Sequence, residues 1–267
     1  DGIPFTGQTP YLFVENGTVN SITTRYSGNT ISGISNYSSI GGGKNNSVIG
    51  SSLSLINGGY QNSINNSDYS EIGGGYNNKI LSNGWISTIV GGYNNVVSGD
   101  SYSVIVHGGN NTIRNNSNYT SIVGGYSHTI DESKYSSIGG GKYNSINNSD
   151  YSEIVGGYRN EILGSDWVST IVGGYNNEIS SSSEGVIVHG GGNTIRSTSY
   201  YSFIGGGYGH TIDNSNRSFI GGGGYNALSG SNYSIIGGGK LNIISASTYS
   251  TIGGGSGNTM SDSITST

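Results

Sequence analysis

Tyr135-Ser136-Ser137-Ile138-Gly139-Gly140-Gly141-Lys142-Tyr143-Asn144-Ser145-Ile146 is one turn of a repeat that occupies most of the chain. An apolar residue before a glycine-rich run recurs at Ile40, Ile56, Ile72, Ile89, Ile105, Ile122, Ile138, Ile154, Ile171, Ile187, Ile204, Ile220, Ile236 and Ile252, and every gap is 16 or 17 residues. Eight residues after each comes a second apolar position: Val48, Ile64, Ile80, Val97, Ile113, Ile130, Ile146, Ile162, Ile179, Ile195, Ile212, Leu228, Ile244 and Met260. That offset is constant, so the length variation falls after the second position. The pieces there, such as Asn65-Asn66-Ser67-Asp68, have turn chemistry. Two anchors half a coil apart give each face of a flattened solenoid one inward residue. The predicted fold class is all-β, a two-sided β-solenoid of about 14 coils of 16–17 residues.

Neighbouring registers fill in the coil. The run Tyr-Ser-x-Ile-Gly-Gly-Gly alternates as a strand does, with Ser, Ile and the second Gly expected inward and Tyr outward. Two residues before the second anchor stands an asparagine: Asn46, Asn62, Asn78, Asn95, Asn111, Asn144, Asn160, Asn177, Asn193, Asn226, Asn242 and Asn258. His128 and His210 hold that register in the two other coils, as substitutes at a ladder position. Identical side chains stacked at the strand spacing can hydrogen-bond along the axis, so the register reads as an asparagine ladder. A longer period of 82 residues, five coils, overlies the short one, with Val104-Ile105-Val106-His107 returning as Val186-Ile187-Val188-His189.

The array is read over residues 36–260. Residues 1–35 depart from it and are expected to form an N-terminal cap containing Pro4 and Pro10, with Val14, Asn20 and Ile22 reproducing the anchor, asparagine and second-anchor spacing of a partial coil. Residues 261–267 form a C-terminal tail without a recognisable cap, so the native chain is expected to continue or to be covered there by another subunit.

Only 31% of the residues are hydrophobic and 9% charged, too few for a thick globular core, while the regular placement of glycine and isoleucine argues against disorder. A thinly spread net charge of −5 offers no basic stripe, so nucleic acid is not an expected partner. Apolar stretches of at most four residues argue against membrane insertion and against a signal peptide; a secreted form is expected to be a processed product or a fragment. The chain has no cysteine, hence no thiolate nucleophile or metal site.

Side chains beside the first anchor suggest partners. Val90, Val106, Val123, Val155, Val172 and Val188 follow it, and Phe203 and Phe219 precede it, as do Leu55, Val104, Val186 and Ile235; this outward apolar face is the candidate interface with another chain. Tyrosines stand three residues before the first anchor or four after it. Among the latter, Tyr60, Tyr76, Tyr93 and Tyr175 are candidate glycan contacts, or rings that stack on one another. Glu71 and Glu153 share an outward register and read as solvated charges. Gly73 to Ile80 is similar in outline to a calcium-binding nonapeptide but lacks the aspartates a hard cation needs. No catalytic constellation, metal or cofactor is expected.

The Tyr-Ser-x-Ile-Gly-Gly-Gly-x-x-Asn-x-Ile unit over residues 37–260 resembles the YadA-like head repeats of trimeric autotransporter adhesins and related glycine-rich β-solenoid fibre proteins. The resemblance implies a trimeric, surface-displayed adhesive fibre. The expected function is a structural protein, extracellular or at a cell or virion surface, that self-associates into a filament or homotrimer and can bind glycans or a host surface. The alternatives are a trimeric adhesin or viral-fibre head, or an ice-binding protein, although the outward row before the first anchor is too uneven to match an ice lattice.

Overall fold

Isoleucine and valine suit an extended, pleated backbone, and at every first anchor they sit in a strand of two residues stacked in parallel on the next coil, as in β4 (Ser39–Ile40), where Ile40 pairs with Ile56. The second anchor lies in a separate strand, as in β5 (Ser47–Ile49), where Val48 pairs with Ile64. The computed structural model describes residues 11–13, 22–24, 28–83 and 85–262. Over them the chain is an all-β solenoid of two parallel sheets with about fourteen turns and no helix.

Two units, Asp1–Gly109 and Asn110–Thr267, share this architecture. Every buried apolar side chain among the described residues belongs to one of the two anchor files. In the first unit Ile40 to Ile105 form one file and Ile31 to Val97 the other, and in the second Ile122 to Ile252 and Ile113 to Ile244 do the same, all at most 4% exposed. Each full burial is worth about 2 kcal/mol. Met260, the last second anchor, is only half-buried.

Between the short strands the backbone turns corners in the left-handed region. The residue three before the first anchor is left-handed in every coil, from Tyr37 (φ 58) to Tyr249 (φ 54), and even the β-branched Ile86 and Val168 are held there. The residue three after the anchor is always glycine, at φ between 75 and 113. A Cβ on Gly141 would lie 2.1 Å from the Gly157 carbonyl oxygen, so no other residue fits. A further left-handed residue follows each second anchor by two positions in 16-residue coils, such as Asn66 or Asn148. Three of the four 17-residue coils carry a consecutive pair, Ser82-Asn83, Asn115-Asn116 and Ser197-Thr198, which absorbs the insertion without moving the anchors.

Two expectations need correction. The second glycine of the run does not face inward: a Cβ on Gly42 or Gly140 meets nothing within 4 Å, and His107 and His189 at that register are exposed. The strand ends at the anchor and the chain bends away, so the two-residue alternation stops. The partial coil near the N-terminus is also placed differently. β1 (Tyr11–Phe13) pairs antiparallel with β2 (Ile22–Thr24), and Ile22 pairs with Ser39, in the first-anchor sheet instead of the second. The first rung is Asn29 with Ile31, which pairs with Val48 in the second-anchor sheet from β3 (Thr30–Ser32). Val14, Asn20, Pro4 and Pro10 lie outside the described residues.

Candidate ligand-binding surface

The surface is positioned from within, because a corner that leaves the strand ladder must find other partners for its backbone groups. Asn62 illustrates the asparagine ladder. Its N–H donates to Asn46 Oδ1 at 2.9 Å, and its Nδ2 donates to Gly58 O in its own coil at 2.9 Å and to Gly75 O in the next at 3.1 Å. In the second unit Asn160 repeats this with Asn144, Gly156 and Gly174. Of the twelve asparagines read as the ladder, all are buried except Asn258, which is exposed but keeps the bonds to Asn242 and Gly254.

His128 and His210 are buried in the same file. His128 Nδ1 accepts the Asn144 N–H at 3.1 Å, and His210 Nδ1 accepts the Asn226 N–H at 3.1 Å, so each imidazole must be neutral, with its proton on Nε2. Neither Nε2 reaches a hydrogen-bond partner, which makes histidine a poorer staple than asparagine. Burial lowers the pKa of both rings below 6.5, opposed by the neighbouring backbone.

Two serine files complete the interior. Ser54, two residues before its anchor, donates from Oγ to Ser67 O at 3.0 Å and accepts the Ser70 N–H at 3.2 Å. Ser51, five before the anchor, donates to Ile49 O and accepts the Ser67 N–H, both at 2.9 Å. The second file does not stand out from the turn segments in the sequence, because Gly84, Asp100 and Asp166 interrupt the serines at its register.

Outside, side chains repeat at the coil spacing and therefore meet. Tyr119, Tyr135 and Tyr151 stack with centroids 5.0 and 4.8 Å apart, and Trp167 extends the row at 5.4 Å. Further along the second unit the Arg217 guanidinium lies between the Tyr201 and Tyr233 rings, 5.3 and 5.4 Å from their centroids, and Tyr233 stacks on Tyr249. Arg217 is a stacking member that the tyrosine pattern alone did not reveal; its place three residues before Ile220 is the signal that could have found it.

The tyrosines four after the first anchor contact the neighbouring coil. Tyr60 stacks on Tyr76 at 5.6 Å and 13°, and the Tyr93 and Tyr175 rings lie over Gly109 and Gly191, where a Cβ would come within 2.3 and 2.4 Å. The candidate glycan contacts thus already cover neighbouring rings or backbone while staying partly exposed. Tyr225 packs edge-on to Tyr208; desolvation, then the neighbouring Tyr208, raises the pKa of its hydroxyl.

The apolar face beside the first anchor is on the surface. Val90, Val123, Val155, Phe219 and Ile235 are exposed, and Val106, Val172, Val188 and Phe203 half-buried. Phe203 and Phe219 stack at 5.4 Å and 7°, and each ring edge packs against the glycine that follows its own anchor, Gly205 and Gly221. These glycines are demanded first by the next coil, whose carbonyl oxygens, Gly221 O and Gly237 O, would lie 2.6 and 2.2 Å from a Cβ there. His107 and His189 rest on Gly91 and Gly173. Among the described residues no three acids or histidines group as a metal site. No protein-family model matches the chain, and no curated protein matches it.

Proposed function

We propose that the chain is a structural repeat protein that works by associating with further copies of itself through the outward face of the first-anchor sheet. One observation carries the proposal. In the second unit, six successive coils each expose or half-expose an apolar side chain on this face: Val155, Val172, Val186 with Val188, Phe203, Phe219 and Ile235. At the strand spacing this strip is roughly 24 Å long. An apolar file of that length on a surface otherwise rich in Ser, Asn and Gly marks an interaction site. A second copy is the occupant that fits it, because only a partner with the same coil rise meets every rung in register. The resemblance to trimeric adhesin head repeats supports a homotrimer or filament displayed outside the cell or on a virion, with an adhesive role.

Sedimentation velocity and negative-stain imaging of the intact chain test this. The wild type should sediment as a trimer or larger assembly, and the double variant Phe219→Ser, Ile235→Ser should shift it to monomer with an unchanged circular dichroism spectrum. A wild type monomeric at high micromolar concentration overturns the proposal.

A further inference from the structure

Each unit has a groove on the side where the coil turns from the second anchor toward the next first anchor. In the first unit it is lined by Asn66, Asp68, Ser82, Asn83 and Trp85, and in the second by Asn148, Asp150 and Trp167 with Glu132 and Lys134. Each has a volume of about 480 Å³. Asn66 and Asn148, Asp68 and Asp150, and Trp85 and Trp167 are all 82 residues apart, so the five-coil period has carried the same groove into both units. Trp85 and Trp167 are the only tryptophans in the chain.

The grooves arise where a 17-residue coil stacks on a 16-residue one. In each 17-residue coil the tryptophan stands four residues before the first anchor that closes it, Ile89 or Ile171. Ile86 and Val168, the residues after each tryptophan, donate their N–H to Asp68 O and Asp150 O at 3.1 Å, which seats the indole beside the aspartate of the preceding coil. Tyr69 braces Trp85 at 5.5 Å and 73°, and Tyr151 braces Trp167 at 5.4 Å and 59°. The indoles nevertheless stay 48% and 57% exposed, a large platform to leave in water. Each aspartate is oriented through one oxygen: Asp68 Oδ1 accepts the Ser52 N–H and Asp150 Oδ1 the Lys134 N–H, both at 2.7 Å. The second carboxylate oxygen has no hydrogen bond among the described residues, so it is available as an acceptor.

We propose that these two grooves are equivalent saccharide-binding sites. A pyranose has an apolar C–H face that lies flat on an exposed indole and a rim of hydroxyls that donate to a carboxylate and exchange hydrogen bonds with amides. An oriented aspartate, an asparagine and a braced tryptophan supply those complements side by side. One or two carboxylates per groove do not make a hard-cation cage, and a single lysine does not make a phosphate-backbone site. The two grooves differ in charge. Among the described residues Asp68 is the only charged group lining the first, which suits a neutral sugar, whereas Glu132 and Lys134 beside Asp150 suit one with an amino or carboxylate substituent.

Because the two tryptophans sit in the two grooves, their fluorescence reports each site. The intact chain is screened on an array of neutral, amino and acidic oligosaccharides, and each one retained is titrated against wild type, Trp85→Ala and Trp167→Ala. The expected result is a saturable change in emission; Trp85→Ala abolishes the response of the first groove and Trp167→Ala that of the second. Asp68→Asn and Asp150→Asn keep an acceptor for the backbone N–H and should weaken binding at least tenfold, with unchanged melting and circular dichroism showing intact folds. The inference is overturned if no glycan on the array binds, if binding survives Trp85→Ala combined with Trp167→Ala, or if the emission responds to calcium chloride but to no sugar.

Discussion

At the scale of the residue, adjacent glycines in one run do different work. Gly141 is held at φ +92, and a Cβ there would meet the Gly157 oxygen at 2.1 Å; its neighbour Gly140 faces open space. Gly141→Ala should cost about 3 kcal/mol or more, from left-handed strain plus the clash, whereas Gly140→Ala should be neutral or stabilising by about 0.5 kcal/mol through the unfolded chain. Amide hydrogen exchange around Ile138 to Asn160 measures both, since a repeat array opens locally. The ladder histidines give a second residue-scale prediction. Their folded pKa values lie below 6.5, so the unfolded chain binds more protons once the pH falls to that value; their contribution is intact above it and is lost progressively toward the lowered folded pKa. Protonation would set an Nδ1–H against the N–H of Asn144 or Asn226. Between pH 6.5 and 5 the wild type should lose several degrees more of melting temperature than His128→Asn, His210→Asn. Equal slopes for the two proteins would sink the idea.

At the scale of the element, the constant eight-residue step between anchors and the elastic piece after them have separate structural origins. Within the step lie the obligatory glycine, the left-handed residue before the ladder and the ladder rung itself; after it, one or two left-handed residues serve equally well. Deleting Thr198 turns a 17-residue coil into a 16-residue one and should change stability by less than about 1 kcal/mol. Deleting Gly209 moves His210 and Ile212 out of register, and the loss of one buried anchor and one rung should cost about 3 kcal/mol or more. Thermal unfolding with exchange mapping separates the two cases. The same contrast explains what could be read in the sequence. Ile40 to Ile252, Val48 to Ile244 and the asparagines were legible because one residue type recurs where burial or a threefold hydrogen-bond demand admits little else. The left-handed corner three before the anchor was not, because its side chain points to water and Tyr37, Leu53, Ile86, Glu184 and Arg217 all serve there. The Trp85 and Trp167 grooves escaped for a different reason: each is built from several coils of unequal length, and only the 82-residue spacing of the two tryptophans marks them.

At the scale of the whole molecule, the chain has few means of associating other than apolar contact. Its 10 basic and 15 acidic side chains are spread over 267 residues, and the Val155 to Ile235 strip carries only one of them, Glu153, at its margin. Among the described residues, Arg114 pairs with Asp131 and Arg196 with Asp213, each across adjacent coils of the second-anchor sheet, so these charges are satisfied within the chain. Exposed charges separated by more than about 10 Å are screened at 0.1 M salt, whereas burial of an apolar strip is not weakened by ions and is strengthened by sulfate. The proposed self-association should therefore persist unchanged from 0.1 to 1 M sodium chloride, tighten in ammonium sulfate, and weaken on cooling. Sedimentation equilibrium across that series decides the matter: dissociation in 1 M sodium chloride would mean that charge, and not the valine and phenylalanine file, holds the copies together. Persistence in the wild type and its loss in Phe219→Ser, Ile235→Ser would place the contact on the first-anchor face, where the glycines beside the phenylalanines leave the rings room to lie flat.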